Sequence, residues 1–254
     1  MIITSSQSIR QILKAKPLAA QVLEEDFGFA FWDRQEASLD HLCKSMGVNV
    51  TACQERISQL PSPSADTDWD AKPVCWLVDY LVRNHAGFRE VEMPAIQNLL
   101  VEERLPAYPD GYIVKLLLQE YRHFQADFLK HMAEEEDFLF PKILRDEACL
   151  LHPELGPEVH RGSVNLYLKL ETHKPEAEFK RLIVSIREKL RNQHLHRPAA
   201  EIAQRAQSAL DGFAESLLAH ADLETNVLFP RAGRLEQELR QSRFPGLSRE
   251  SKFP

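Results

Sequence analysis

The sequence is poor in cysteine, in glycine and in long apolar runs, and each shortage excludes something. The four cysteines, Cys43, Cys53, Cys75 and Cys149, show no CxxC spacing, so neither a thiolate metal site nor a disulfide framework is indicated. They read as free thiols of a reducing cytosol. Only 9 glycines occur in 254 residues, beside long stretches rich in Leu, Ala, Glu, Gln, Lys and Arg, a balance that favours helices over a sheet-based fold. No segment approaches the apolar length of a membrane span, and the first twenty residues lack the apolar core of a signal peptide. Clustered positive charge is missing as well. A formal net charge of -7 argues against the electrostatic footprint that phosphate binding requires. The expectation is an all-α, soluble, cytoplasmic protein with no nucleic-acid partner and no membrane partner.

Residues 1–60 give short helical patterns broken at Pro17 and at Phe27-Gly28, with a clearer amphipathic run through Leu39, Leu42, Met46 and Ile57. They are expected to form a small helical N-terminal domain. The stretch PSPSADTDWD, residues 61–70, concentrates Pro, Ser and Asp as a linker does. Four long helical patterns follow, roughly at 71–100, 111–145, 156–172 and 198–235, parted by loops holding Pro106, Pro109, Gly111, Pro153 and Gly156. That count suits a four-helix up-down bundle over 71–235. A further amphipathic period, through Phe179, Leu182, Ile183, Ile186 and Leu190, predicts an additional helix or an extension of the third. Residues 236–254 read as a flexible basic tail.

The most informative feature is an internal repeat. HMAEEEDFLFP, residues 131–141, aligns without a gap to HADLETNVLFP, residues 220–230. On an α-helix, residues four apart share a face and lie about 6 Å apart along the axis. Each H-x-x-x-E pair therefore aims an imidazole and a carboxylate at the same neighbour. Each half also has one solitary histidine upstream, His85 before the first motif and His160 before the second. An antiparallel bundle built on this duplication would gather His85, His131, Glu135, His160, His220 and Glu224 around a pseudo-two-fold axis. Two metal ions fit that set, two histidines on each with both glutamates bridging.

A single HxxxE is weak evidence, because most such pairs are solvated helix contacts. The duplication, with its matching Leu-Phe-Pro tails, is what raises these residues above that background, and it promotes His85 and His160 with them. His123 lies two further turns from His131, about 12 Å along the axis, and is not expected to reach the same centre. Asp127, one turn from His131, reads equally as an acceptor behind that ligand or as an exposed helix carboxylate. His41, His152, His173, His194 and His196 fall in loops or polar faces and are left structural.

Mixed imidazole and carboxylate ligation suits Fe, Mn, Zn or Cu. Helical-bundle sites of this kind are commonly di-iron or di-manganese centres. Four neutral histidines against two anionic glutamates leave less negative charge on the metals than a four-carboxylate site does. That favours the ferrous state, and with it the binding or reduction of a diatomic ligand.

The H, HxxxE, H, HxxxE order with LFP endings behind a short helical domain resembles the Repair of Iron Centres family, the YtfE/ScdA-like hemerythrin-domain di-iron proteins. The resemblance rests on VDYLVRNHAGFRE around His85, HMAEEEDFLFPKI around His131, the segment entering His160, and HADLETNVLFPRA around His220. It implies a cytoplasmic bacterial protein of nitrosative and oxidative stress. It also implies a centre of two Fe ions, linked to repair of damaged iron–sulfur clusters and to nitric oxide. All six iron ligands of the family have a match here. Oxygen-carrying hemerythrins use a further histidine four residues after the first on the third helix, where this chain has Val164. Two departures matter. The family's N-terminal domain usually carries an adjacent Cys pair, whereas DFGFAFWDRQEASL, with Phe31 and Trp32, stands in that region here. The glutamate often found just before the third-helix ligand is Val159.

The leading functional expectation is a di-iron stress protein that repairs iron–sulfur clusters by iron delivery or by binding or reducing nitric oxide. Its partners would be nitric oxide or oxygen as small ligands, iron–sulfur client proteins, and an external electron donor, since no flavin or thiol motif supplies electrons. The alternative is a non-enzymatic hemerythrin-like sensor or store of oxygen, nitric oxide or iron. A metal-free helical interaction protein is the third reading.

Overall fold

The computed structural model describes residues 3–29, 31–101, 111–153, 181–182, 184–185, 188 and 197–243. Side chains are described from 118 in the helix that begins at Gly111 and from 204 in the helix that begins at Arg197. The chain is all-α, as its composition leads one to expect, and among the described residues the only β feature is an isolated antiparallel bridge between Ser8 and Ser38.

The helices are α1 (Ile9–Ala15), α2 (Ala19–Gln21), α3 (Leu39–Met46), α4 (Val50–Ser58), α5 (Val74–Gly87), α6 (Met93–Val101), α7 (Gly111–Glu134), α8 (Phe140–Leu151), α9 (Arg197–Leu223) and α10 (Phe229–Arg243). The helix expected at 156–172 and most of the additional one lie outside the described residues. Arg181, Leu182, Val184, Ser185 and Glu188 are helical, and Leu182 packs against the core of the second unit described below.

Contacts divide the chain into two compact units. The first takes residues 1–82, 136–168 and 226–254, and the second residues 83–135 and 169–225. Local chemistry sets the short helices of the first. Ser8 caps α1 in a reciprocal box with Gln11, Ser38 caps α3 through the His41 amide, and Asn49 caps α4. Each satisfies amides that the first helical turn leaves unpaired. Gly47 ends α3 at φ 68°, the left-handed position that favours glycine. The Ser8–Ser38 bridge ties the two helix starts together: Ile9 N–H donates to the Ala37 carbonyl at 3.0 Å and Leu39 N–H to the Gln7 carbonyl at 2.9 Å. Farther along, Glu147 accepts the Val74 amide at 2.7 Å and so caps α5. Arg231 donates to the carbonyls of Trp69 (2.6 Å) and Lys72 (2.7 Å), which pins residues 69–72 to α10. Residues 236–243, expected in a flexible tail, instead form the last two turns of α10, where Glu236 and Leu239 are buried. Leu239 supplies an apolar anchor within a run of charged residues.

The second unit holds an aromatic core of Phe88, Tyr121, Phe124, Phe128 and Phe213 with Met93, Ile96, Leu100, Met132, Leu210 and Leu217. Burying side chains of this size stabilises by roughly 1.5–3 kcal/mol each before entropy is counted. Tyr121, fully buried, keeps its hydroxyl satisfied by donating to the Met93 carbonyl at 3.0 Å.

One local device recurs on the long helices. Phe88–Glu92, Glu135–Leu139 and Glu224–Leu228 are five-residue π-helical turns. Each is followed, two residues beyond its end, by a proline: Pro94, Pro141 and Pro230. In a continuous α-helix those prolines would clash with the carbonyls of Glu90, Asp137 and Asn226, at a cost of about 3 kcal/mol each. Widening the preceding turn moves those carbonyls aside, and π-turns of this kind gather at functional sites.

Candidate metal centre

Three of those helices bring the sequence-selected residues together. His85 ends α5, His131 sits in the last turn of α7 and His220 in the last turn of α9. Glu135 and Glu224 open the π-turns that follow α7 and α9. His85, Glu135, His220 and Glu224 are all buried, and each offers a donor atom within 4.8 Å of every other. His85 and His220 face each other through Nε2 at 3.1 Å, with ring centroids 4.8 Å apart. His220 Nε2 also lies 3.1 Å from Glu224 Oε1.

Glu135 spans two histidines. Its Oε2 lies 3.4 Å from His85 Nε2 and its Oε1 lies 3.3 Å from His131 Nε2. His131 is the more open member, at 16 % side-chain exposure. His160 lies outside the described residues. Five of the six expected residues thus converge, all within the second unit.

The electrostatics follow from burial. For Glu224, removal from water acts to raise the carboxyl pKa, but His220 beside it, with His85 and His131, outweighs that and holds it below the ordinary carboxylate value. His220 Nδ1 is buried and, among the described residues, has no hydrogen-bond partner. Imidazole nitrogens and carboxylate oxygens drawn this close, in a pocket walled by aromatic rings, make a poor internal hydrogen-bond network. They make a good donor set for a borderline transition-metal ion.

Other sequence candidates fall elsewhere. Asp127 is exposed on α7, which fits the helix-surface alternative, and His123 is exposed on the same helix. His41 is exposed, and His152 lies 3.9 Å from Glu24. His173, His194 and His196 lie outside the described residues. The four cysteines are free and buried, and burial pushes the Cys53 thiol up to about 12. In the N-terminal region, Phe31 and Trp32 are buried; the Trp32 indole N–H donates to Glu24, and the Arg145 guanidinium lies 5.8 Å over the Trp32 ring.

The walls of the pocket carried a signal that the ligand pattern alone did not use. Phe88 follows His85 by three residues, Phe128 precedes His131 by three, and Phe213 precedes His220 by seven, all helical same-face spacings. Phe88 meets the His220 ring at 5.4 Å and Phe128 meets His131 at 6.2 Å. Glu136 is a second residue missed. It is buried beside Glu135, an adjacency that a regular amphipathic helix disfavours and that occurs here within a π-turn.

No family model matches the chain. Curated relatives do. The chain is 22 % identical over 241 residues to the iron-sulfur cluster repair protein YtfE of Musicola paradisiaca, covering 91 % of this chain and 97 % of that protein. Against the protein of the same name from Escherichia coli O157:H7 it is 25 % identical over 190 residues, 73 % of this chain and 78 % of the relative. Against that of Yersinia pseudotuberculosis it is 22 % identical over 241 residues, 91 % and 98 % respectively. Sustained along most of both chains and joined to an all-α fold, this likeness at low identity makes the chain similar to the iron-sulfur cluster repair proteins named YtfE.

Proposed function

We propose that this protein holds two iron ions through His85, His131, Glu135, His160, His220 and Glu224, and serves the repair of iron–sulfur clusters, by delivering iron or by binding or reducing nitric oxide. The observation that carries the reading is the convergence of four buried donors, from three helices, within 4.8 Å. Glu135, with one oxygen toward His85 and the other toward His131, has the reach of a bridging carboxylate. The names of the relatives support the repair role. The sequence pattern supports cytoplasmic action in nitrosative or oxidative stress.

Bound iron would supply coordination positions for a diatomic ligand. The protein's own groups do the rest. The two glutamates bring negative charge, the histidines bring imidazole nitrogens, and Phe88, Phe128 and Phe213 exclude water from one side of the pocket. Joining two nitric oxide molecules into nitrous oxide consumes two electrons and two protons. A reductant, an external electron-donor protein, must provide the electrons.

One observation favours the non-enzymatic alternative, a sensor or store of oxygen, nitric oxide or iron. The region where the resembling family has paired thiols is filled here by buried Phe31 and Trp32. Two measurements separate the readings. Protein purified without air should contain about two irons per chain, and less than one would refute the centre. The reduced protein given nitric oxide and an electron donor should release nitrous oxide over many turnovers. Retention of nitric oxide without turnover would overturn the reductase reading in favour of sensing.

A further inference from the structure

Histidines that ligate metals almost always donate their second ring N–H to a carboxylate, a carbonyl or water, and that bond fixes the ring's orientation. His220 has no such bond among the described residues, for its Nδ1 is buried without a partner. The imidazole torsion is broad and roughly two-fold, so a half-turn of the ring would carry Nε2 away from His85 and Glu224. Among the described residues, a packing contact takes the place of that bond.

The candidate is Phe88. Its ring meets His220 at 5.4 Å and 77°, and it is braced by Phe213 at 5.4 Å and 71° and by Phe128 at 5.8 Å and 51°. Phe88 is 2 % exposed and lies on the first turn after His85, so the backbone that places one histidine also places the ring that packs on the other. Edge-to-face pairs of this kind stabilise beyond their buried area, to an extent comparable with an ordinary net hydrogen bond.

We infer that Phe88 is the positioning residue for His220: its ring, clamped by Phe128 and Phe213, replaces the missing hydrogen-bond acceptor and keeps Nε2 turned into the pocket. Only the metal-binding consequence rests on the di-iron reading, because ring orientation belongs to the metal-free chain.

The test compares Phe88→Leu with Phe124→Leu in the full-length protein. Phe124 lies in the same core, and its described ring contacts are Tyr121, Phe128 and Phe213. In metal-free protein, nitrogen-resolved NMR should give one set of His220 ring signals for wild type and Phe124→Leu, and split or broadened signals for Phe88→Leu. In an anaerobic ferrous-ion titration, Phe88→Leu should weaken one site by about 10–100-fold, the range for loss of a ligand's supporting contact. Phe124→Leu should lose a similar amount of thermal stability and keep its affinity. Phe88→Met serves as a second variant should the leucine fail to fold. Unchanged His220 signals in the Phe88 variant, or an affinity loss no greater than that of Phe124→Leu, would overturn the inference. Wild type that takes up no iron would refute the di-iron reading, while the metal-free spectra would still decide the role of Phe88.

Discussion

Replacing His220 with Ala separates a ligand from a merely structural histidine, because the two make different demands on added metal. In the metal-free protein the substitution has opposing effects. An imidazole-sized void of roughly 60 Å³ costs about 1.5 kcal/mol, whereas removing a buried nitrogen without a hydrogen-bond partner returns about 1–3 kcal/mol. Glu224 loses its nearest partner, at 3.1 Å, but keeps the influence of His85 and His131. The opposing effects nearly cancel, leaving a net within about 1.5 kcal/mol of zero, or at most roughly 6 °C in Tm for a domain of this size. Metal changes the comparison. At free metal roughly 100-fold above Kd, a site that binds only the folded state adds about 2.7 kcal/mol, or roughly 5–11 °C. Wild type should therefore draw away from His220→Ala by about that amount when ferrous ion is added, in paired calorimetric scans with and without metal under anaerobic conditions. If the gap between the two proteins is the same in both scans, His220 does not bind metal and the site fails.

Glu24 is mostly buried, and burial raises its carboxyl pKa against the indole N–H of Trp32 and His152, both of which lower it. A raised carboxyl binds more protons in the folded state, so stability falls as pH rises through the window between the unfolded and folded values. Glu24→Gln should be more stable than wild type to urea at pH 7, and the difference should vanish well below pH 4.5; a variant weaker at neutral pH would refute this. Arg231 donates to two carbonyls with a planar fork. Arg231→Ala should lose about 2–4 kcal/mol, since a hydrogen bond from a charged group contributes about 1.5–3 kcal/mol. Arg231→Lys should recover less than half in the same urea titration, because an ammonium group cannot reproduce the fork.

The helical class and the grouping of His85, His131, Glu135, His220 and Glu224 were legible because both depend on residue spacing. Two copies of HxxxE, nearly ninety residues apart in the chain, project from helices whose period is fixed, and the structure brings five of the six singled-out residues into one pocket. The π-turns were not read, although their trace was visible. The Leu-Phe-Pro tails stood out only as marks of duplication, and Met93-Pro94, at the matching offset behind Phe88, drew no notice. A proline inside an apolar helical pattern ordinarily marks a break, and nothing local says that the chain widens one turn and continues. Glu136 stayed hidden for a related reason: a run of three glutamates looks solvated, yet Glu134 is partly exposed while Glu135 and Glu136 are buried. The last two turns of α10 were misjudged because Leu239 is one apolar residue among many charged ones, and its burial depends on packing against distant chain.

The proline beyond each widened turn has a consequence for loading. Because it lacks an amide hydrogen, the chain at that point has no bond to gain by annealing into a straight rod, whatever fills the pocket. The cradle is thus written into the covalent chain and does not wait for its cargo to shape it. If the pocket holds an ion, its departure would leave behind a mould ready for the next, and refilling should proceed at the speed of encounter and ligand exchange, with no refolding step in between.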